Sequence, residues 1–299
     1  MGKAAKFQAA KLALSCIGRL PPRVRALIGR WGGYLFSFVP TRDRAIAKLQ
    51  MEMALKNEGG SSCLGQVYAS LGETLLESVN LKPMLDRYQE YVDADWAQMD
   101  EILARKKGVI ILSAHTGNWD LLAACSVKRG FKVSVIGKPT KNLGLQELLV
   151  EVRANYGVDT IWRSDSSGIK QIFNALKGGE AVAALIDQDT QVTSLMVPFF
   201  GRPAATPKTI IEFAKKFDAV IVAPLICRTS TNHYRIIVKE FDTKLPTEEI
   251  LLGFNQYLEK FVHQHPSQWV WIHKRWRTLA DGTRLSSREY LKTLQQAAR

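Results

Sequence analysis

The chain has 299 residues, 46% hydrophobic and 23% charged, a balance that supports a sizeable core and excludes an intrinsically disordered chain. Its net charge of +13 selects acidic partners: nucleic acid, an anionic membrane, a phosphorylated substrate or an acidic carrier protein. Cys16, Cys63, Cys125 and Cys227 lie far apart without a C-x-x-C pair, which excludes a zinc module or small disulfide scaffold and predicts reduced thiols.

The first segment is basic. Lys3, Lys6, Lys11, Arg19, Arg23, Arg25, Arg30 and Arg42 precede the first acidic residue, Asp43, and alternate with apolar residues such as Leu27, Trp31, Leu35 and Phe38. Such interleaving suits a helix lying in a membrane interface, and equally an amphipathic helix pair packed on the protein itself. No run reaches the roughly 18 apolar residues of a transmembrane helix. The apolar stretch from Leu12 to Cys16 is too short for a signal core, and Lys6 stands where myristoylation after Gly2 wants Ser or Thr.

Residues 45–55 and 63–81 have helical spacing and are separated by Gly59-Gly60-Ser61-Ser62. From Lys107 onward, short apolar strands at 108–114, 133–136, 160–162, 181–186 and 220–226 alternate with helices. Asn142 is expected to cap a helix that runs to Tyr156 and ends at Gly157, and Thr206-Pro207 to open another reaching about 217. A strand at 234–239 and a final helix at 248–263 complete the pattern. This predicts an α/β fold, a mainly parallel central sheet flanked by helices on both faces. A basic amphipathic helical region at 1–81 precedes an α/β domain at 82–299. Neither an internal repeat nor a low-complexity stretch is present.

His115-Thr116-Gly117-Asn118-Trp119-Asp120 follows the apolar run that starts at Gly108, so His115 falls in a strand-to-helix turn. A gap of four residues lets Asp120, in the first helical turn, reach the imidazole Nδ1–H and stabilise the imidazolium formed when Nε2 takes a proton. The plainer alternative is a loop histidine and a first-turn acid favoured by the helix dipole. Asn118 opens the helix and is counted among the substrate-binding candidates.

The stretch from His115 to Asp120, Asp187-Gln188-Asp189, the run from Pro198 to Pro207 and the tail from His265 to Trp276 together resemble the bacterial lipid A late acyltransferases. The resemblance extends to relatives that acylate phosphatidylinositol mannosides. It implies a glycerolipid-acyltransferase-like fold and an HxxxxD-type O-acyltransferase with His115 and Asp120 as its catalytic pair. It also implies a role for Arg153 in binding the acceptor or positioning that pair, and for Asp189 in holding Arg153 or a sugar hydroxyl. From the residues alone, Arg153 is equally a helix-terminal cation and Asp189 ordinary turn chemistry.

Sites in parallel sheets gather at the carboxyl ends of strands, so His115, Lys138, Arg163 and the turn 187–189 are expected to converge. Lys138 and Arg163 are candidate phosphate clamps, against an alternative of solvated surface cations. A Gly-x-Ser-x-Gly elbow is absent, so direct attack by an acceptor hydroxyl on an acyl thioester is expected, without an acyl-enzyme. No dinucleotide or P-loop pattern is present and no cofactor is expected. His263, His265 and His273 lack the spacing of a metal site. Trp269 and Trp271 are expected to share the inward face of a strand.

The reading is acyl transfer from acyl carrier protein or coenzyme A to a hydroxyl of a lipid A precursor. The setting is the cytoplasmic face of the bacterial inner membrane, with peripheral attachment to anionic lipid. Acylation of a phosphatidylinositol mannoside or lysolipid is the runner-up. A noncatalytic nucleic-acid-binding protein, supported by charge and by the carboxyl-terminal aromatic cluster, is the rival class, as is a noncatalytic lipid carrier. No nucleic acid partner is expected.

Overall fold

The computed structural model describes residues 3–56, 59–140, 143–163 and 167–297. Its strands are β1 (Val92–Ala94), β2 (Val109–Ser113), β3 (Val133–Gly137), β4 (Val158–Trp162), β5 (Ala181–Leu185), β6 (Ser194–Phe199), β7 (Arg202–Pro207), β8 (Val220–Ser230) and β9 (His233–Phe241). Seven form one sheet in the order β1-β9-β8-β2-β5-β3-β4, parallel throughout except where β8 meets β9. The fold is α/β with a mostly parallel central sheet, as expected.

The residues of β2 are buried along its whole length. Ile110 and Leu112 join a cluster with Ile46, Met51 and Val67 from the amino-terminal helices and with Phe254 and Trp269. Val109 and Ile111 join a different cluster with Met99, Ile102 and Phe131. The two-residue period of a strand thus sends alternate side chains into two apolar layers, which is why this sequence reads as continuous rather than alternating hydrophobicity.

The chain leaves β2 through the helix Trp119–Lys128, forms β3 and β4 further out, then returns to place β5 between β2 and β3. This return positions the site. The register pairs Ser113 with Leu185, so residues two beyond each, His115 and Asp187, emerge side by side at the carboxyl edge.

Two expected elements differ. Thr206-Pro207 opens no helix; β6 and β7 form an antiparallel hairpin there, and the helix begins at Thr209. Phe200 and Gly201 take φ of 49° and 67°, suiting a tight hairpin turn, and a two-stranded ribbon tolerates Pro198, Pro203 and Pro207 because every strand is an edge. A helix at Ser287–Ala297 follows the one at Thr247–Gln264. Its apolar face is sparse, with Tyr290 and Leu294 buried. The expected capping residue Asn142 lies outside the described residues; the helix there spans Leu143–Ala154.

The helices Pro22–Phe36 and Leu64–Ser78 touch backbone to backbone. A Cβ added at Gly29 would lie 2.3 Å from the Gly72 carbonyl oxygen, and one at Gly33 2.0 Å from that of Tyr68. The other side of the first helix is bare: Trp31 is 63% exposed, Leu35 64% and, just beyond it, Phe38 65%. Both the packed helix and the apolar outer face are therefore realised at once. Among the described residues, no helix is long and apolar enough to cross a membrane.

Candidate active site

Gly117 lets the chain turn sharply after β2. Its φ is +48°, and a Cβ there would sit 2.4 Å from the Ile226 carbonyl oxygen, so a side chain is excluded by both conformation and space. Thr74 donates to the Gly117 carbonyl at 2.7 Å, and the Gly117 N–H donates to Gln268 at 2.9 Å. The turn carrying His115 is thus fixed from two sides.

Asp187 binds His115 twice. Its Oδ1 lies 2.8 Å from imidazole Nδ1 and its Oδ2 accepts the His115 backbone N–H at 2.9 Å. Oδ2 also accepts the indole N–H of Trp269 at 2.9 Å. Burial alone would raise this fully buried carboxyl, but the neighbouring His115 and His273 and the backbone N–H reverse that and hold it well below the usual carboxylate range. An ionised Asp187 makes Nδ1 the protonated nitrogen and leaves the Nε2 lone pair as an acceptor.

The sequence expectation placed Asp120 in that position; the structure gives it to Asp187. Asp120 instead receives Arg153 Nε at 3.0 Å, both side chains being about four-fifths buried. The reason is topological. Asp187 arrives on the strand adjacent to β2, whereas Asp120 lies on the first helical turn, facing the end of the neighbouring helix Leu143–Ala154.

Other expected site residues divide. Lys138 and Arg163 follow β3 and β4 directly and line one cavity of about 440 Å³ with Ile161, Ile172, Ile210 and Phe213. Burial, then the nearby Arg284 cation, lower the Arg163 guanidinium from its usual value. Asn118 is fully buried: its side chain caps the helix by accepting from Leu121 N at 3.0 Å and donates toward Glu77 at 3.3 Å. Asp189 is likewise covered, accepting from Thr278 N–H at 2.6 Å and Thr278 Oγ1 at 3.0 Å and pairing with Arg284, so it does not hold Arg153. Both stabilise the frame around the site rather than face it.

Gln188 and His273 were not singled out as site residues. Gln188 Nε2 lies over the His115 ring, 3.1 Å from Nδ1 and 3.0 Å from Nε2, and 2.6 Å from His273 Nε2, and the two imidazoles stand 4.9 Å apart. Burial, then the neighbouring His115, push the His273 ring down to about 3, so it stays neutral. No sequence spacing relates residue 273 to 115; only the folded tail brings them together. Trp269 and Trp271 are buried as expected, although they leave a short 3₁₀ turn (Pro266–Gln268) rather than forming a strand. Among the described residues no group of His, Cys, Asp or Glu side chains is arranged to hold a metal ion.

The profile described as "Bacterial lipid A biosynthesis acyltransferase" matches residues 6–278. The chain belongs to this acyltransferase family. It is 26% identical over 223 residues to a lipid A biosynthesis acyltransferase of Haemophilus influenzae, covering 73% of this chain and 68% of that one. It is 24% identical to a lipid A biosynthesis palmitoleoyltransferase of Escherichia coli, with 87% of each chain covered. A phosphatidylinositol mannoside acyltransferase of Mycobacterium tuberculosis is 22% identical, over 61% of this chain and 58% of its own. The paired His115 and Asp187 lie just past the ends of β2 and β5, at the edge where sites in parallel sheets gather.

Proposed function

We propose that this protein transfers a fatty acyl chain from an acyl carrier protein or coenzyme A thioester to a hydroxyl of a lipid A precursor or related glycolipid. His115 Nε2 removes the hydroxyl proton as the oxygen bonds to the thioester carbonyl carbon. The carbon–sulfur bond then breaks, and the imidazolium returns its proton to the departing sulfur, giving an ester and a free thiol. Asp187 holds the ring and offsets its positive charge. The single observation that carries this reading is the Nδ1 contact with a buried, ionised Asp187, which leaves Nε2 basic in a chain of the acyltransferase family.

The cavity beside Lys138 and Arg163 suits an amphiphile. Its apolar lining accepts hydrocarbon while the two cations meet phosphate, from the acceptor or from a carrier's prosthetic arm. Asp120 and Arg153 form a polar pair at the opening turn, beside Trp119, whose ring lies 5.1 Å from that of His115. The exposed ridge of Trp31, Leu35 and Phe38, in a segment with no acidic residue before Asp43, supports peripheral docking on an anionic membrane, which we assign to the cytoplasmic face of the inner membrane.

Mass spectrometry of lipids after incubation with mixed acyl donors and candidate acceptors tests the proposal. A new ester mass that disappears in His115→Gln is expected; undiminished ester formation in a folded His115→Gln protein overturns it. The same spectrum separates a second reading, mannoside acylation, favoured by the mycobacterial relative. Base stacking is not supported, because Trp269, Trp271 and Trp276 are buried.

A further inference from the structure

The amino-terminal helix pair borders a cleft that shares no lining residue with the cavity beside Lys138 and Arg163. It has two compartments. One, of about 220 Å³, is polar: Ser70 and Glu73 of the helix Leu64–Ser78, Thr229 and Ser230 of β8, Thr231 and Ser267 line it. The other, of about 490 Å³, is lined by Leu27, Trp31 and Tyr34 of the helix Pro22–Phe36. Arg30, Gln66 and Ala69 line both, so the compartments meet there and Arg30 stands at the junction.

The polar compartment holds binding groups that the protein itself leaves unused. Arg228 Nε donates to the Tyr234 hydroxyl at 3.1 Å, and its other nitrogens donate to Ser70, Thr74 and Glu77 at 3.3, 3.2 and 2.8 Å. Glu73 Oε1 lies 3.2 Å from that Nε, whose single hydrogen points to Tyr234, so Glu73 feels the charge without receiving the proton. Glu73 is 3% exposed, and its Oε1 accepts no hydrogen bond among the described residues. The hydroxyls of Thr229, Ser230, Thr231 and Ser267 have no partner among them either, and Arg30 forms no direct ion pair with them.

Hydroxyls and a carboxylate recognise a polyol, a guanidinium recognises phosphate, and an apolar wall with Trp and Tyr recognises hydrocarbon at an interface. Here they follow one another in the order headgroup, phosphate, chain. The polar compartment is smaller than the roughly 300–1,000 Å³ of drug-sized ligand sites, so it takes a glycerol headgroup and not a disaccharide. We propose that this cleft binds a phosphodiester lipid with a glycerol headgroup, of the phosphatidylglycerol type. Its hydroxyls reach the polar compartment, its phosphate meets Arg30, and the start of its chain lies along Leu27 and Trp31. This rests on the reading of the Trp31 ridge as the membrane face and goes beyond it, because a basic apolar ridge alone does not distinguish headgroup hydroxyls. His115 lines neither compartment, so the lipid is held as an anchor and not as an acyl acceptor.

Dioleoylphosphatidylglycerol and dioleoylphosphatidylmethanol carry the same charge and chains and differ in the headgroup hydroxyls. Sedimentation of the full chain with phosphatidylcholine vesicles containing either lipid, at equal mole fractions, reads the site. The wild-type protein is expected to bind the phosphatidylglycerol vesicles about fivefold more tightly, the equivalent of one net hydrogen bond. Equal binding overturns the proposal without recourse to any variant. Thr229→Val with Thr231→Val, which keeps shape and removes two hydroxyls, should lower that ratio, as should Ser230→Ala with Ser267→Ala; a ratio unchanged in both variants overturns the polar compartment as the headgroup site. Arg30→Gln should weaken binding to both lipids about fivefold and leave their ratio intact, and undiminished binding overturns the phosphate contact. Failure of the ridge reading shows itself separately, in Leu35→Ser with Phe38→Ser, neither of which lines the cleft. Vesicle binding that survives this change refutes the ridge, whereas the ratio between the two lipids reports the cleft.

Discussion

The indole N–H of Trp269 donates to Asp187 at the oxygen that also receives the His115 backbone N–H, leaving the other oxygen to the imidazole. Removing the charge should therefore cost more activity than removing the indole donor. Asp187→Asn is expected to lower ester formation by about two to four orders of magnitude, the usual worth of a general base. Trp269→Phe keeps the ring packing, and urea unfolding should register a loss of about 1.5–3 kcal/mol, typical of a hydrogen bond to a charged group. Equal activity losses in the two variants would contradict this ranking.

Asp120 and Arg153 form a partly buried pair between two helices. Asp120→Asn and Arg153→Gln should each destabilise the fold, and the double variant should be less unstable than the sum. The coupling expected from a double-mutant cycle by chemical denaturation is about 0.5–3 kcal/mol. Additivity would mean that the pair does not join the helices.

Glu73 is almost fully buried beside Arg228, at 3.2 Å. Burial raises its carboxyl from 4.5 to about 6, with Arg228 opposing and Glu77 reinforcing. Because the folded value exceeds the unfolded one, this group's stabilising contribution is complete below pH 4.5 and is lost as pH rises through about 6. Relative to Glu73→Gln, the wild-type protein should lose about 2 kcal/mol between pH 4.5 and 7, at ~1.4 kcal/mol per unit. Paired urea titrations at the two pH values check it; a pH-independent difference would refute it.

The ridge at Trp31, Leu35 and Phe38 predicts a separable membrane contribution. Trp31→Ser with Phe38→Ser should weaken sedimentation with anionic vesicles at least about tenfold, since a fully buried large apolar side chain is worth about 1.5–3 kcal/mol. The melting temperature should stay unchanged because these side chains make little contact with the core. Unaltered vesicle binding would place the docking surface elsewhere.

Local pattern was readable where side-chain periodicity reports it. The β2 run, the helices at Arg42–Ala54 and Leu64–Ser78, and the exit of Lys138 and Arg163 from successive strands all follow from spacing. The partner of His115 was not readable, because it depends on β5 inserting beside β2, a strand order that no local pattern encodes. Asp120, with four residues between it and His115, was close in sequence and Asp187 was close in space. The same limit hid His273 and disguised the β6–β7 hairpin, where a Thr-Pro pair mimics a helix start.

The glycine contacts between Pro22–Phe36 and Leu64–Ser78 leave the outer ridge no independent play, and the second of those helices also supplies Thr74 to the turn behind His115. The ridge and the imidazole are consequently tied into one packed unit. For a lipid film gripped at Trp31, the height of the imidazole above the headgroups becomes a constant of the molecule. Under the proposed docking, the elevation of an alcohol along the membrane normal, as much as its chemical surroundings, would select the acceptor.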